Sequence, residues 1–158
     1  GWKSGGRPLG AGAGRRRPAG DFRAELQPGQ VRTLDQVRGI LESGSAQVVD
    51  ARPAGRFRGV DPEPRAGLRG GHMPGARNLP YADLVDATGR MLPPDILRAR
   101  LLAAGIDPER PVVATCGSGT SSCAVLLALE VLGAPAGALY DGSWTEWGGR
   151  DDVPVACE

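Results

Sequence analysis

Apolar positions recur along this chain with helix and strand periods, but only from residue 31 onward. Thr33 precedes Leu34, Val37, Ile40 and Leu41, which fall on one face of a helix that Gly44 would end. Gln47-Val48-Val49-Asp50 reads as a short buried strand. A Pro-, Gly- and Arg-rich loop then covers 52–74, and Ala76-Arg77-Asn78-Leu79 offers another brief strand before Pro80. Pro93-Pro94 opens a helix bearing Ile96, Leu97, Leu101 and Leu102, with Gly105 as its stop. The run from Pro111 to Thr115 is the clearest strand, and it leads straight into Cys116-Gly117-Ser118-Gly119. A strongly apolar helix is predicted from Thr120 to about Leu132, and Gly137-Ala138-Leu139-Tyr140 supplies a last strand. Strands alternating with helices predict an α/β fold, with a parallel sheet covered on both faces.

Residues 1–30 follow neither period. They hold eight glycines, three prolines and only scattered apolar side chains, with six Lys and Arg against two Asp and Glu. That segment is thus +4, and with +1 for the whole chain, residues 31–158 carry −3. Such a stretch buries too little to offset its ordering entropy, so a disordered arm or linker is expected for 1–30 and one domain for 31–158.

The near balance of charge argues against a nucleic-acid binder that relies on a basic excess. Hydrophobic residues, 41% of the chain, suffice for an ordinary core, and no apolar run approaches the roughly 18–20 residues that cross a bilayer. The N-terminus lacks the apolar region of a secretory signal. Three cysteines form no disulfide framework, so the expectation is a protein of the reducing cytoplasm with no membrane partner.

Cys116 follows a strand and precedes a helix, the place where ligands gather in α/β sheets. Between them Gly117, Ser118, Gly119, Thr120, Ser121 and Ser122 are all small, so the backbone can curl and aim its amides inward. An anion cradle of Gly117, Gly119, Thr120 and Ser121, aided by the helix dipole, would favour a Cys116 thiolate near neutral pH.

Rival chemistries fit less well. A cysteine phosphatase would need an arginine where Ser122 stands, and a phosphate-binding P-loop would need a lysine, of which there is none beyond Lys3. His72 is the one candidate base for papain-like chemistry. Zinc is poorly served, because Cys116 and Cys123 lie seven apart and Cys-x-x-Cys is absent. Cys123, on an apolar helix, is expected in the core, and Cys157 is a bystander.

Five separated segments carry a resemblance: Asp50-Ala51-Arg52; Gly55-Arg56-Phe57-Arg58-Gly59 leading to Glu63-Pro64-Arg65; Gly71-His72-Met73-Pro74-Gly75-Ala76; Cys116-Gly117-Ser118-Gly119; and Asp141-Gly142-Ser143-Trp144-Thr145-Glu146-Trp147. In this order they resemble the C-terminal, catalytic domain of the two-domain rhodaneses, from about Val31 to Pro154. Within that family the Cys-Gly-Ser-Gly loop is similar to the 3-mercaptopyruvate sulfurtransferases, whereas thiosulfate sulfurtransferases typically carry Cys-Arg-Lys-Gly. The resemblance implies a three-layer α/β/α fold around a parallel sheet of about five strands. It implies a sulfane sulfur passed from 3-mercaptopyruvate, or thiosulfate, through a Cys116 persulfide to a thiol, thioredoxin or cyanide, with no metal or organic cofactor.

By the same resemblance, Arg56 and Arg65 bind the donor's carboxylate, and Ser118 polarises its carbonyl or relays a proton. Asp50, His72 and Trp144 support the site structurally. The chain departs from the family in reading Thr120-Ser121-Ser122 where Val-Thr-Ala is usual. The resemblance also implies an N-terminal rhodanese domain as partner. Without it, the alternative is a weakly active sulfur-carrier or binding module.

Overall fold

The computed structural model describes residues 2–25 and 27–157. Residues 2–25 are exposed and contain turns but neither helix nor strand. The strands are β1 (Val31–Arg32), β2 (Gln47–Asp50), β3 (Arg77–Asn78), β4 (Val112–Thr115) and β5 (Ala138–Tyr140). They form one sheet in the order β1-β5-β4-β2-β3, parallel at every pairing. The helices are α1 (Leu34–Ser43), α2 (Ala54–Phe57), α3 (Pro94–Ala103), α4 (Ser122–Val131) and α5 (Ser143–Trp147), with 3-10 turns at Pro28–Gln30 and Tyr81–Leu84.

Local chemistry accounts for the start of α1. The Thr33 hydroxyl accepts from the Gln36 amide at 3.4 Å, and the Gln36 side chain accepts from the Thr33 amide at 2.9 Å. This reciprocal cap is worth about 1 kcal/mol. Gly44 closes the helix in the left-handed conformation, at φ 64°.

Pleating sends alternate residues of each strand to opposite faces. Val48, Val113, Ala138 and Tyr140 pack with Leu34 and Val37 of α1 and with Trp144 and Trp147 of α5. Val49, Val112 and Ala114 pack on the other side with Leu97 and Leu101 of α3 and Val125, Ala128 and Leu129 of α4. Three layers result, with the five-stranded parallel sheet in the middle, as the sequence led us to expect.

Several expectations need correction. Ile96 and Leu102 are exposed on α3; burial there falls to Leu97 and Leu101, one turn apart. Cys123 is exposed rather than in the core. It shares an outward stripe with Leu127 and Val131, because α4 is apolar nearly all round and its pattern does not say which side faces the sheet. α4 starts at Ser122, two residues after the expected Thr120. The loop over 52–74 contains the single turn α2, and α5 follows the last expected strand. A five-residue helix has no stability of its own. Burial of Trp144 and Trp147, on the order of 4–6 kcal/mol each, offsets the ordering cost of about 1–2 kcal/mol per residue.

This topology determines where a site can form. The chain leaves β2 toward β3 on one side and leaves β4 toward β5 on the other. The two connections diverge from adjacent strand ends and leave a crevice between the carboxyl ends of β2 and β4. Asp50 and Thr115, the last residues of those strands, lie opposite each other in register.

Candidate active site

Cys116 follows β4 at this crevice and is itself 1% exposed. Its loop is held from behind by α5. The Trp144 amide donates to the Cys116 carbonyl and the Thr145 amide to the Gly117 carbonyl, both at 2.9 Å. The Ser143 hydroxyl accepts from the Cys116 amide and from the Thr115 hydroxyl, each at 3.2 Å, and donates to the Tyr140 carbonyl at 2.8 Å. That uses its one proton and both lone pairs. Ser143 is buried and sits at φ 50°, a left-handed conformation that costs a non-glycine residue about 1–2 kcal/mol. The three hydroxyl bonds hold it there.

With two loop carbonyls drawn toward α5, amides further along turn to the sulfur. Burial pushes the Cys116 thiol up, but the Ser121 hydroxyl, the Ser118 amide and the Ser122 amide outweigh it, and the thiol is held below its ordinary value. The Ser122 hydroxyl also faces the sulfur, but its single proton bonds to the Gly119 carbonyl at 2.6 Å, so it adds least. Ser121 faces the sulfur through its hydroxyl, Ser118 through its amide rather than the side chain expected to act on the donor, and Ser122, expected only as one of the small loop residues, joins them through its amide. Gly117, Gly119 and Thr120 shape the turn: Gly117 directs its carbonyl to Thr145, Gly119 adopts φ 77°, and the Thr120 carbonyl accepts from the Cys123 amide.

The connection after β2 brings the arginines. The Arg56 guanidinium packs on Gly117 and pairs with Glu63, Nε to Oε1 at 3.2 Å and Nη2 to Oε2 at 2.5 Å. Glu63 also accepts from Arg52 at 2.9 Å, and Arg52 forks onto Asp50 through Nε and Nη2. Asp50, Arg52 and Glu63 have side chains only 1–2% exposed, and with Arg56 they form a neutral set of two carboxylates and two guanidiniums. A buried network of this kind is stable only when every member is paired, as here. Arg65 is exposed and donates to the Thr145 hydroxyl at 3.0 Å, and that hydroxyl donates to the Gly117 carbonyl at 2.6 Å. Of the two expected arginines, Arg56 packs directly on the Cys116 loop and Arg65 reaches it only through the Thr145 hydroxyl.

The remaining sequence candidates lie behind the site. Asp50 accepts from the Arg52 amide at 2.9 Å, which orients the backbone leaving β2. His72 is buried, stacked on Phe57 with ring centroids 3.8 Å apart, and its Nδ1 meets the Phe57 carbonyl at 2.9 Å. Trp144 carries the Arg52 guanidinium 4.2 Å above its ring. Glu63, Arg52, Ser143 and Thr145 all lay within quoted motifs, but only the fold reveals their partners, which are up to 80 residues distant in sequence. Among the described residues, no three or more His, Cys, Asp or Glu side chains gather as metal ligands would. Nor, among them, is any helix long and apolar enough to cross a membrane.

This arrangement can be set beside known proteins. The human 3-mercaptopyruvate sulfurtransferase is 43% identical over 140 residues, covering 89% of this chain and 47% of its own length. The Escherichia coli K12 enzyme of the same name is 44% identical over 138 residues, covering 87% and 49%. The crystal structure of SseA from Escherichia coli superposes with a TM-score of 0.74 at 37% identity, over 90% of this chain and 52% of that one. The chain thus spans about half the length of the curated relatives it matches. The family model described as a rhodanese-like domain matches residues 33–150, and the chain belongs to the rhodanese family.

Proposed function

We propose that this chain is a sulfurtransferase that takes a sulfane sulfur from 3-mercaptopyruvate, in preference to thiosulfate, onto Cys116. The observation that carries the reading is a buried thiol held below its ordinary value by loop donors, with Arg56 packed on the same loop and Arg65 tied to it through Thr145. The names of the relatives support the same reading. The Cys116 thiolate attacks the donor's sulfur: an S–S bond forms, the C–S bond breaks, and the electron pair leaves on the pyruvate enolate. The donor's thiol proton ends on that carbon, so the products are a Cys116 persulfide anion and pyruvate. The Ser118 and Ser122 amides and the Ser121 hydroxyl are placed to hold the persulfide charge as they hold the thiolate.

Glu63 takes the Nε and Nη2 protons of Arg56 that face it, so the donor's carboxylate would be met by the Nη1 side. Arg65 offers a second guanidinium, and Ser118, exposed on the rim, polarises the donor's carbonyl or relays a proton. The persulfide then passes its outer sulfur to a small thiol, thioredoxin or cyanide. A cytoplasmic, reducing setting suits a nucleophile that must remain a free thiolate. Residues 1–30 serve as a linker arm in this reading.

The test is intact mass. Incubation with 3-mercaptopyruvate should add one sulfur atom to the wild type and none to Cys116→Ser. No adduct on the wild type, or an equal adduct on both, refutes the reading. A second reading, a weakly active sulfur carrier that needs a partner rhodanese domain, is favoured by the chain's span of about half its relatives and by the exposure of Ser118 and Thr120. It expects slow turnover that rises when the remaining half of a relative is supplied in trans.

A further inference from the structure

Thr145 lies on α5, is exposed, and bonds the Gly117 carbonyl twice, through its amide at 2.9 Å and its hydroxyl at 2.6 Å. The direction of the hydroxyl proton is not a free choice. A carbonyl can only accept and a guanidinium can only donate, so the proton points to Gly117 and a lone pair receives Arg65 Nη1 at 3.0 Å. The Gly117 carbonyl and the Ser118 amide are two ends of one peptide unit, and that amide is among the groups facing the Cys116 sulfur. A donor on the oxygen of a peptide polarises it and strengthens its N–H as a donor, by about 10–30% per bond. The charge of Arg65 is thereby connected, through one hydroxyl and one peptide, to the sulfur.

We propose that Thr145 is a positioning residue that ties Arg65 to the Gly117–Ser118 peptide, so that the group receiving the donor's carboxylate also sets the amide presented to Cys116. The other charged groups around the loop are Arg56 and its partner Glu63 on the connection after β2, and Asp141 beside Gly119 at the end of β5. None of the hydrogen bonds found at Thr145 involves them. Only the kinetic part of the proposal rests on the sulfurtransferase reading; the tie from Arg65 through Thr145 to the Gly117–Ser118 peptide stands on hydrogen-bond geometry.

The experiment compares wild type, Thr145→Val, Thr145→Ser, Arg65→Ala and the Thr145→Val/Arg65→Ala double variant. Peptide-resolved iodoacetamide labelling at neutral pH follows Cys116 apart from the exposed Cys123 and Cys157. Val should slow Cys116 alkylation about two- to threefold, Ser should restore it, and Arg65→Ala should slow it by a similar factor. The double variant should be no slower than either single one, because both changes cut the same relay. Either single variant alkylating at the wild-type rate, or the two effects multiplying, overturns the proposal. In turnover, Val should raise KM for 3-mercaptopyruvate several-fold with Ser restoring it, and an unchanged KM counts against the link. Wild type that gains no sulfur would remove the sulfurtransferase reading, and the alkylation comparison would still decide the role of Thr145.

Discussion

The Arg56 guanidinium lies so close to Gly117 that a methyl group on Gly117 would stand 3.2 Å from Nη2. The other loop glycine, Gly119, is constrained by backbone: it adopts φ 77°, and a methyl there would meet the side chain and carbonyl of Asp141 at 3.0 and 3.1 Å. Gly117→Ala should therefore leave the fold intact, keep Cys116 alkylation, and raise KM as the tip of Arg56 gives way. Gly119→Ala should cost about 1–3 kcal/mol in urea unfolding and slow Cys116 alkylation about tenfold or more. Wild-type alkylation in Gly119→Ala would show that the loop's curl does not govern the thiol.

Arg56→Lys and Arg65→Lys each replace a planar fork with a point charge. KM for 3-mercaptopyruvate should rise markedly in both while KM for thiosulfate, which has no carboxylate, changes little. Steady-state kinetics with the two donors checks this, and equal effects on both donors would refute carboxylate recognition.

Glu63→Gln removes one of two carboxylates from the buried set: Arg52 keeps Asp50, and Arg56 loses the carboxylate it pairs with. Breaking a buried pair by neutralising one partner costs about 3–5 kcal/mol. A fall toward the lower end is expected, since Arg56 is partly exposed, and denaturant midpoints measure it. A loss well under 1 kcal/mol would mean that solvent reaches these groups.

Stability should also depend on pH through Cys116. Between the lowered folded value and the thiol's ordinary 9.0, the folded protein is ionised and the unfolded chain protonated. The unfolded state then binds more protons, so stability rises with pH across that window. The contribution is complete above 9.0 and is lost as pH falls through the folded value. The Tm difference between wild type and Cys116→Ala should widen from neutral pH toward 9, and a flat difference would reveal an ordinary thiol.

Much of this was readable from residue order alone, for identifiable reasons. α1 announces itself by its cap, its apolar period and Gly44, and β2 and β4 by compact runs bounded by turns. The loop after Cys116 was legible because glycine and small hydroxyl residues replace the large apolar side chains a core would demand. β1, α2 and α5 were not, since two, four or five residues are too few to show a period. Cys123 was misread because a helix apolar all round carries no directional signal. Glu63 and Thr145 were invisible as partners, because nothing in their neighbourhoods says that Arg52 or Gly117 will fold against them.

The carbonyls of Cys116 and Gly117 are gripped by residues that the ribosome adds 28 positions later. A nascent chain that has emerged only as far as β5 already possesses its nucleophile but not the helix that arranges the surrounding amides. The loop's final curl around the thiol therefore waits for Trp144 and Trp147 to seat themselves beneath the sheet.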